Sequence, residues 1–177
     1  MDSMARIDGY AAALVDVFRA EGDLDGLSDE FFGAAQALEA NPELRETLGD
    51  RRIPVERKQA IVGDLVGQRA SNVTVASIDL LIATGHIREL TSVAERLADV
   101  AAAEHGAVLA EVRSAADLDA EQVARLEAAL SKAVGRKVEA KVIVDPKVVG
   151  GVVTKIGDTV FDGSVRARLD ELRDEWG

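Results

Sequence analysis

Cysteine is absent from the 177 residues. That excludes a disulfide, a thiolate metal site and a cysteine nucleophile. Aromatic residues make up only 3% of the chain, although 47% of it is hydrophobic. A core must therefore be built from Leu, Ile, Val and Ala, and the chain has enough of them to build one. Three prolines leave long stretches uninterrupted. No apolar run reaches the ~20 residues that span a bilayer. The N-terminal Met1-Asp2-Ser3-Met4 has neither a basic nor an apolar leader segment. There is no compact basic cluster. The formal net charge is -11, and such a chain repels nucleic-acid phosphates and anionic lipid headgroups. We therefore expect neither nucleic-acid binding nor direct membrane insertion.

Among the sequence features present, helical periodicity dominates the first hundred residues. Ile7, Tyr10, Ala11, Leu14, Val17 and Phe18 recur at helical spacing over residues 5–20. Leu24, Leu27, Phe31, Ala34 and Leu38 form a second stripe. Asn41-Pro42 reads as an N-cap followed by Pro at the first helical position, with an end at Gly49. A fourth helix starts at Pro54, turns Ile61 and Leu65 inward and stops near Gly67. Residues 72–84 form a fifth helix with a wide apolar arc. The sixth carries Ile87, Leu90, Val93, Leu97 and Val100. Short connections between them predict a compact six-helix bundle over 1–104.

The pattern changes after Glu104-His105-Gly106, and residues 101–107 read as a hinge. Residues 107–114 alternate as a strand, with Val108, Ala110 and Val112 on one side. Asp119 with Gln122 three residues on is a capping-box pattern opening a helix, and Gly135 suits its end. A strand over 138–144 leads into Asp145-Pro146, then Gly150-Gly151, a strand Val152–Ile156, the break Gly157-Asp158, and Thr159–Phe161. Asp162-Gly163-Ser164 then offers Ser164 as the cap of a last helix carrying Val165, Leu169, Leu172 and Trp176. This segment reads as a β-meander feeding a helix, within a small α+β domain over 105–177.

Catalytic chemistry is hard to place. No phosphate-binding loop occurs, and Gly150-Gly151 lies between strands rather than opening a helix, so a turn with φ > 0 explains it. Asp145, Asp158 and Asp162 lack the alternation and closing Glu of a Ca²⁺ loop, which leaves turn and capping roles. His86 and His105 each sit beside a Gly at a helix end, where capping or solvation explains them. Ser114, His105 and Asp117 could be named as a triad, but no nucleophile-elbow sequence surrounds the serine. We expect no catalytic residue, cofactor or metal. A metal-dependent enzyme using the three aspartates remains a competing class.

One surface feature points to binding. The first and fifth helices have wide apolar arcs and small residues, Ala11, Ala12 and Ala13 in one and Ala76, Ser77 and Ala83 in the other. They are either the most central helices of the bundle or the two walls of a groove for an amphipathic helix.

The order V-D-P-x-x-x-G-G-x-x-x-x-I-G-D over 144–158, followed by D-G-S-V-R, resembles the C-terminal signature of the ATP synthase delta subunit family, which includes the mitochondrial oligomycin-sensitivity-conferring protein. Its residues here are Asp145, Pro146, Gly150, Gly151, Ile156, Gly157, Asp158, Asp162, Gly163 and Ser164. Tyr10-Ala11-Ala12-Ala13-Leu14 resembles the family's pattern in the first helix. The family's Asn-x-Arg-Leu pattern is missing at Thr84-Gly85-His86-Ile87. The resemblance implies a non-catalytic stator subunit, one copy per complex, on the cytoplasmic face of a bacterial membrane. The helical domain would grip the N-terminal helix of an alpha subunit. The C-terminal domain would hold the C-terminal end of the b subunit. On that reading Tyr10, Ala11, Ala13, Leu14, Ile78, Leu81 and Ile82 line the alpha groove. Val165, Leu169 and Leu172 are either core or b contact. An unrelated helix-binding adaptor is the alternative.

Overall fold

The computed structural model describes residues 3–163. Six helices precede residue 105: α1 (Ser3–Ala20), α2 (Leu24–Glu39), α3 (Pro42–Gly49), α4 (Val55–Val66), α5 (Asn72–Ala83) and α6 (Leu90–Glu104). Then come β1 (Val108–Ser114), α7 (Ala120–Val134), β2 (Val138–Val144), β3 (Val152–Ile156) and β4 (Thr159–Asp162). The fold is thus a helical bundle followed by a small α+β unit. The chain divides into two compact units between Ala101 and Ala102.

In the first unit the helix limits follow local chemistry. Asn41 Oδ1 accepts the amide of Leu44 at 3.1 Å, with Pro42 at the first helical position. Ser71 Oγ caps α5 by accepting the Thr74 amide at 3.2 Å. At the far end of α5 the amide of His86 donates to Leu81 O at 2.8 Å, and Gly85 takes the left-handed φ of 77° this closure requires. The sixth helix begins later than its stripe suggests. Ile87–Glu89 form a 3₁₀ turn, and α6 proper starts at Leu90.

The core is aliphatic apart from Phe18, Phe31 and Phe32, with Phe18 and Phe31 packed edge to face at 6.2 Å between centroids. Ile78, Leu81, Val93 and Leu97 are completely enclosed. The inward face of α4 differs from expectation. Leu65 is 55% exposed, and the buried positions are Lys58, Val62 and Val66. These three are spaced four apart, so they share one face, while Leu65 lies one residue and about 100° away from it.

In the second unit the capping box closes as its sequence dictates. Gln122 N donates to Asp119 Oδ1 at 2.8 Å, and Asp119 N donates to Gln122 Oε1 at 2.9 Å. Gly135 ends α7 at φ 73°. The strand order is β2-β1-β3-β4. This corrects the meander reading. β2 and β3 are consecutive in sequence but do not pair; β1 lies between them, parallel to β2 and antiparallel to β3. α7 supplies the crossover that a parallel β1–β2 pair needs. Among the described residues only β3 and β4 form a hairpin, joined by Gly157-Asp158. Gly157 has φ 56°, the first-position glycine of a II′ turn. Being central, β1 is buried on both faces: Leu109 and Glu111 are enclosed along with Ala110 and Val112. The simple alternation expected of it does not hold. Ala110, Val112, Leu130 and Val138 form the core beneath α7.

Candidate partner-binding surfaces

The seven residues expected to line a groove have very different environments. Ala11, Leu14, Ile78, Leu81 and Ile82 are all interior, at 3% exposure or less. Ala13 is exposed, and Tyr10 is half-buried. Ala13 shares the outer face of α1 with Gly9 and Val17, which lie four residues to either side. Val17 is 44% exposed, and a side chain at Gly9 would meet open space. α5 has an outer stripe of its own, Ala76, Leu80 and Ala83, with Leu80 also 44% exposed. On each helix, then, an interior apolar face backs an outer one made of small residues around one larger aliphatic side chain.

Polar contacts tie α1 to the end of α5 and to α6. Tyr10 Oη and His86 Nδ1 are 3.0 Å apart, with ring centroids at 5.7 Å. His86, expected beside Gly85 as a cap or a solvated side chain, closes the end of α5 through its amide, and its ring in addition holds the first helix. Arg6 donates Nε to Glu89 Oε2 at 2.9 Å and pairs its Nη2 with Oε1. The hydrogen bond from Arg6 holds the Glu89 carboxyl below its ordinary value despite partial burial. Arg96 Nε donates to Asp8 Oδ1 at 2.7 Å. No spacing rule links residues 76 to 88 positions apart, so these pairs were not legible in the sequence.

The α5 N-terminus is fixed to α2. Glu30 Oε1 accepts both the amide and the hydroxyl of Ser71 at 2.7 Å. Burial raises the Glu30 pKa, but hydrogen bonds from Thr74 and Ser71 outweigh it and leave the carboxyl below its usual value. Farther along α5, Asp79 has the opposite problem. Its Oδ1 is buried without a hydrogen-bond partner, and burial pushes its pKa up.

The signature residues of the second unit are turn-formers. Gly150 and Gly151 have φ of 66° and 71°, as a turn between strands demands. Asp145 Oδ1 accepts the Lys147 amide at 2.9 Å, and Asp145 O accepts the Val148 amide at 3.0 Å. Arg113 pairs with Asp145 across the sheet at 3.6 Å. Pro146 follows in that turn, Ile156 packs against the α7-side core, and Asp158 and Asp162 are exposed. Gly163 N donates to Val152 O at 2.9 Å. No group of three or more His, Cys, Asp and Glu side chains suited to a metal occurs among the described residues. Ser164 and the helix expected after it, with Val165, Leu169, Leu172 and Trp176, lie outside the described residues. No described helix is long and apolar enough to cross a membrane.

Comparison with known proteins adds a family. The model of the ATP synthase delta (OSCP) subunit family matches residues 7–175. A Frankia alni protein named ATP synthase subunit delta is 42% identical over 165 residues, covering 92% of this chain and 58% of that protein. A Parafrankia relative of the same name is 39% identical over 85% of this chain and 54% of its own length. The chain thus spans little more than half the length of these two. A Geotalea uraniireducens relative is 34% identical, with 93% and 92% covered. Among solved structures, a chain of the Toxoplasma gondii mitochondrial ATP synthase hexamer superposes with a TM-score of 0.57 at 25% identity, covering 96% of both chains. With the match running through both compact units, this chain belongs to the ATP synthase delta (OSCP) subunit family.

Proposed function

We propose that this protein is a non-catalytic stator subunit of an F-type ATP synthase. It joins the catalytic head to the peripheral stalk at the cytoplasmic face of the membrane, so that torque drives ATP formation instead of turning the head. The observation that carries this reading is the family match over 7–175, which takes in both units. A tether needs two attachment surfaces and no reaction centre, and two compact units suit that need. The helical unit would receive the alpha subunit's N-terminal helix, and the α+β unit the C-terminal end of the b subunit.

The exposed stripes favour particular contact positions. Ala13 and Val17 on α1, with Ala76 and Leu80 on α5, are accessible and small enough for a helix to approach closely. Leu14, Ile78, Leu81 and Ile82 would support these stripes from inside. The test is calorimetric titration of the whole chain with a peptide of the first ~25 residues of the cognate alpha subunit, long enough to form a helix on docking. Saturable one-to-one binding with negative ΔCp is expected. Ala13→Arg and Leu80→Asp should weaken it at least about tenfold without lowering the melting temperature. Absence of binding by the folded chain would remove the alpha contact.

A further inference from the structure

A cavity of about 740 Å³ opens in the helical unit between the α3–α4 and α5–α6 connections. Leu48, Ile53, Ile82 and Ile87 give it an apolar wall. Its polar lining carries four cations, Arg51, Arg52, Lys58 and Arg88, against two carboxylates, Glu46 and Asp50. In a chain of net charge -11 that is a local reversal of sign.

Most of these groups are already engaged. Arg52 donates Nη2 to Asp50 Oδ2 at 2.7 Å and Nε to Oδ1 at 3.0 Å. Asp50 is held down to about 2 by those bonds. Arg88 Nη2 donates to Gly49 O at 3.2 Å. Lys58 and Arg51 are different. Neither side chain makes a hydrogen bond or a close ion pair among the described residues, and Lys58 acts on Asp50 only through space. Lys58 is only 8% exposed and still lines the cavity. Its charge acts on Asp50, which Arg52 already engages, so the cavity keeps an excess of positive charge.

The start of α4 adds donors. Its N-cap is Pro54, which has no side-chain acceptor, so no side chain caps the first-turn amides. Val55 in that turn lines the same cavity, which brings the positive end of the α4 dipole to it.

We propose that this cavity binds a small phosphate-bearing molecule. Lys58 is the buried charge partner, Arg51 closes from the rim, and the open amides of α4 complete the oxyanion contacts. Helix N-termini joined to Lys and Arg suit a phosphate, whose oxygens accept from several directions. The volume lies within the range of roughly 300–1,000 Å³ usual for small-molecule sites. It is large enough for an organic body to rest on Leu48, Ile53 and Ile82. This site meets the α5 docking stripe only at Ile82 and Ala83 and draws its charged groups from other residues.

The test is titration of the ¹⁵N-labelled whole chain with phenyl phosphate, followed by amide spectra at constant ionic strength. Inorganic phosphate, benzoate and chloride are run in parallel. Saturable shifts centred on residues 51–58 and 85–88 are expected, with phenyl phosphate binding more tightly than inorganic phosphate. Lys58→Gln should weaken binding about tenfold. Arg51→Gln, at an exposed position that the fold does not depend on, should weaken it by a smaller factor and carries the test if Lys58→Gln does not fold. Lys132→Gln on α7 is the control. Shifts that follow chloride, equal or tighter binding of benzoate, or binding retained by both variants would overturn the proposal.

Discussion

The Glu30–Ser71 contact makes a sharp prediction, because a single carboxylate oxygen fastens the start of α5 to α2. Glu30 Oε1 takes two hydrogen bonds from Ser71 at 2.7 Å, and Ser71 in turn caps α5. α5 then carries Ile78, Leu81 and Ile82 into the core. A hydrogen bond to a charged group contributes about 1.5–3 kcal/mol in buried settings. Glu30 and Ser71 are both half-exposed, so water replaces part of what is lost. Glu30→Ala should therefore destabilise by about 1.5–2.5 kcal/mol. Glu30→Gln keeps an acceptor but not the charge and should cost about 1 kcal/mol. In a helical unit of this size, Glu30→Ala would lower Tm by roughly 6–15 °C. The pH dependence has a fixed sign. The folded carboxyl lies below its usual 4.5, so its contribution is fully present above the unfolded value and is lost as pH falls through the folded one. Thermal and urea unfolding followed by circular dichroism at pH 7 and pH 3 would show the wild-type advantage shrinking in acid. A Glu30→Ala variant within about 0.5 kcal/mol of wild type at pH 7, or a gap that does not narrow at pH 3, would refute the reasoning.

Ile78 is completely enclosed, so Ile78→Ala should cost about 2–5 kcal/mol in urea unfolding through the cavity it leaves. Leu81→Asp buries an unpaired charge in the same core; far-UV circular dichroism should show the helical unit unfolded rather than a folded chain with weakened binding. Asp79 is raised by burial and its Oδ1 is unbonded. Asp79→Asn should then stabilise by about 0.5–1 kcal/mol at pH 7. That gain should vanish below the unfolded carboxyl pKa, where the wild-type group is protonated in both states. Gly135 holds φ 73° with open space around it, so Gly135→Ala should cost about 1 kcal/mol in chemical denaturation from backbone strain alone.

The local chemistry of this chain was legible residue by residue. Asn41-Pro42, Asp119 with Gln122, Gly135 and Gly150-Gly151 each do what their side chains or lack of one dictate, because caps and turns are settled within four residues. The helices and their buried stripes followed from period, except at Val17 on α1, which is exposed, and on α4. There a lysine takes the inward position and Leu65 points out, since the neighbours, not hydropathy, choose the face. Strand order was not legible. Val142–Val144 and Val152–Ile156 read as neighbours, yet β1, a whole helix earlier in sequence, sits between them. Pairing is decided by which edges can close a sheet under α7, a long-range condition that no local pattern encodes. The same holds for the candidate surfaces. Sequence alone named Leu14, Ile78 and Leu81 as apolar helix residues but could not say whether they face a partner or the interior. It gave Lys58 and Arg51 no role, and it read Tyr10 as a groove residue and His86 as a cap or solvated side chain without pairing the two. The amino-acid order fixed the elements and the turns between them. Only packing of residues 76 to 88 positions apart, as in Tyr10 with His86 and Arg6 with Glu89, decided which faces are spent on the core and which remain for binding.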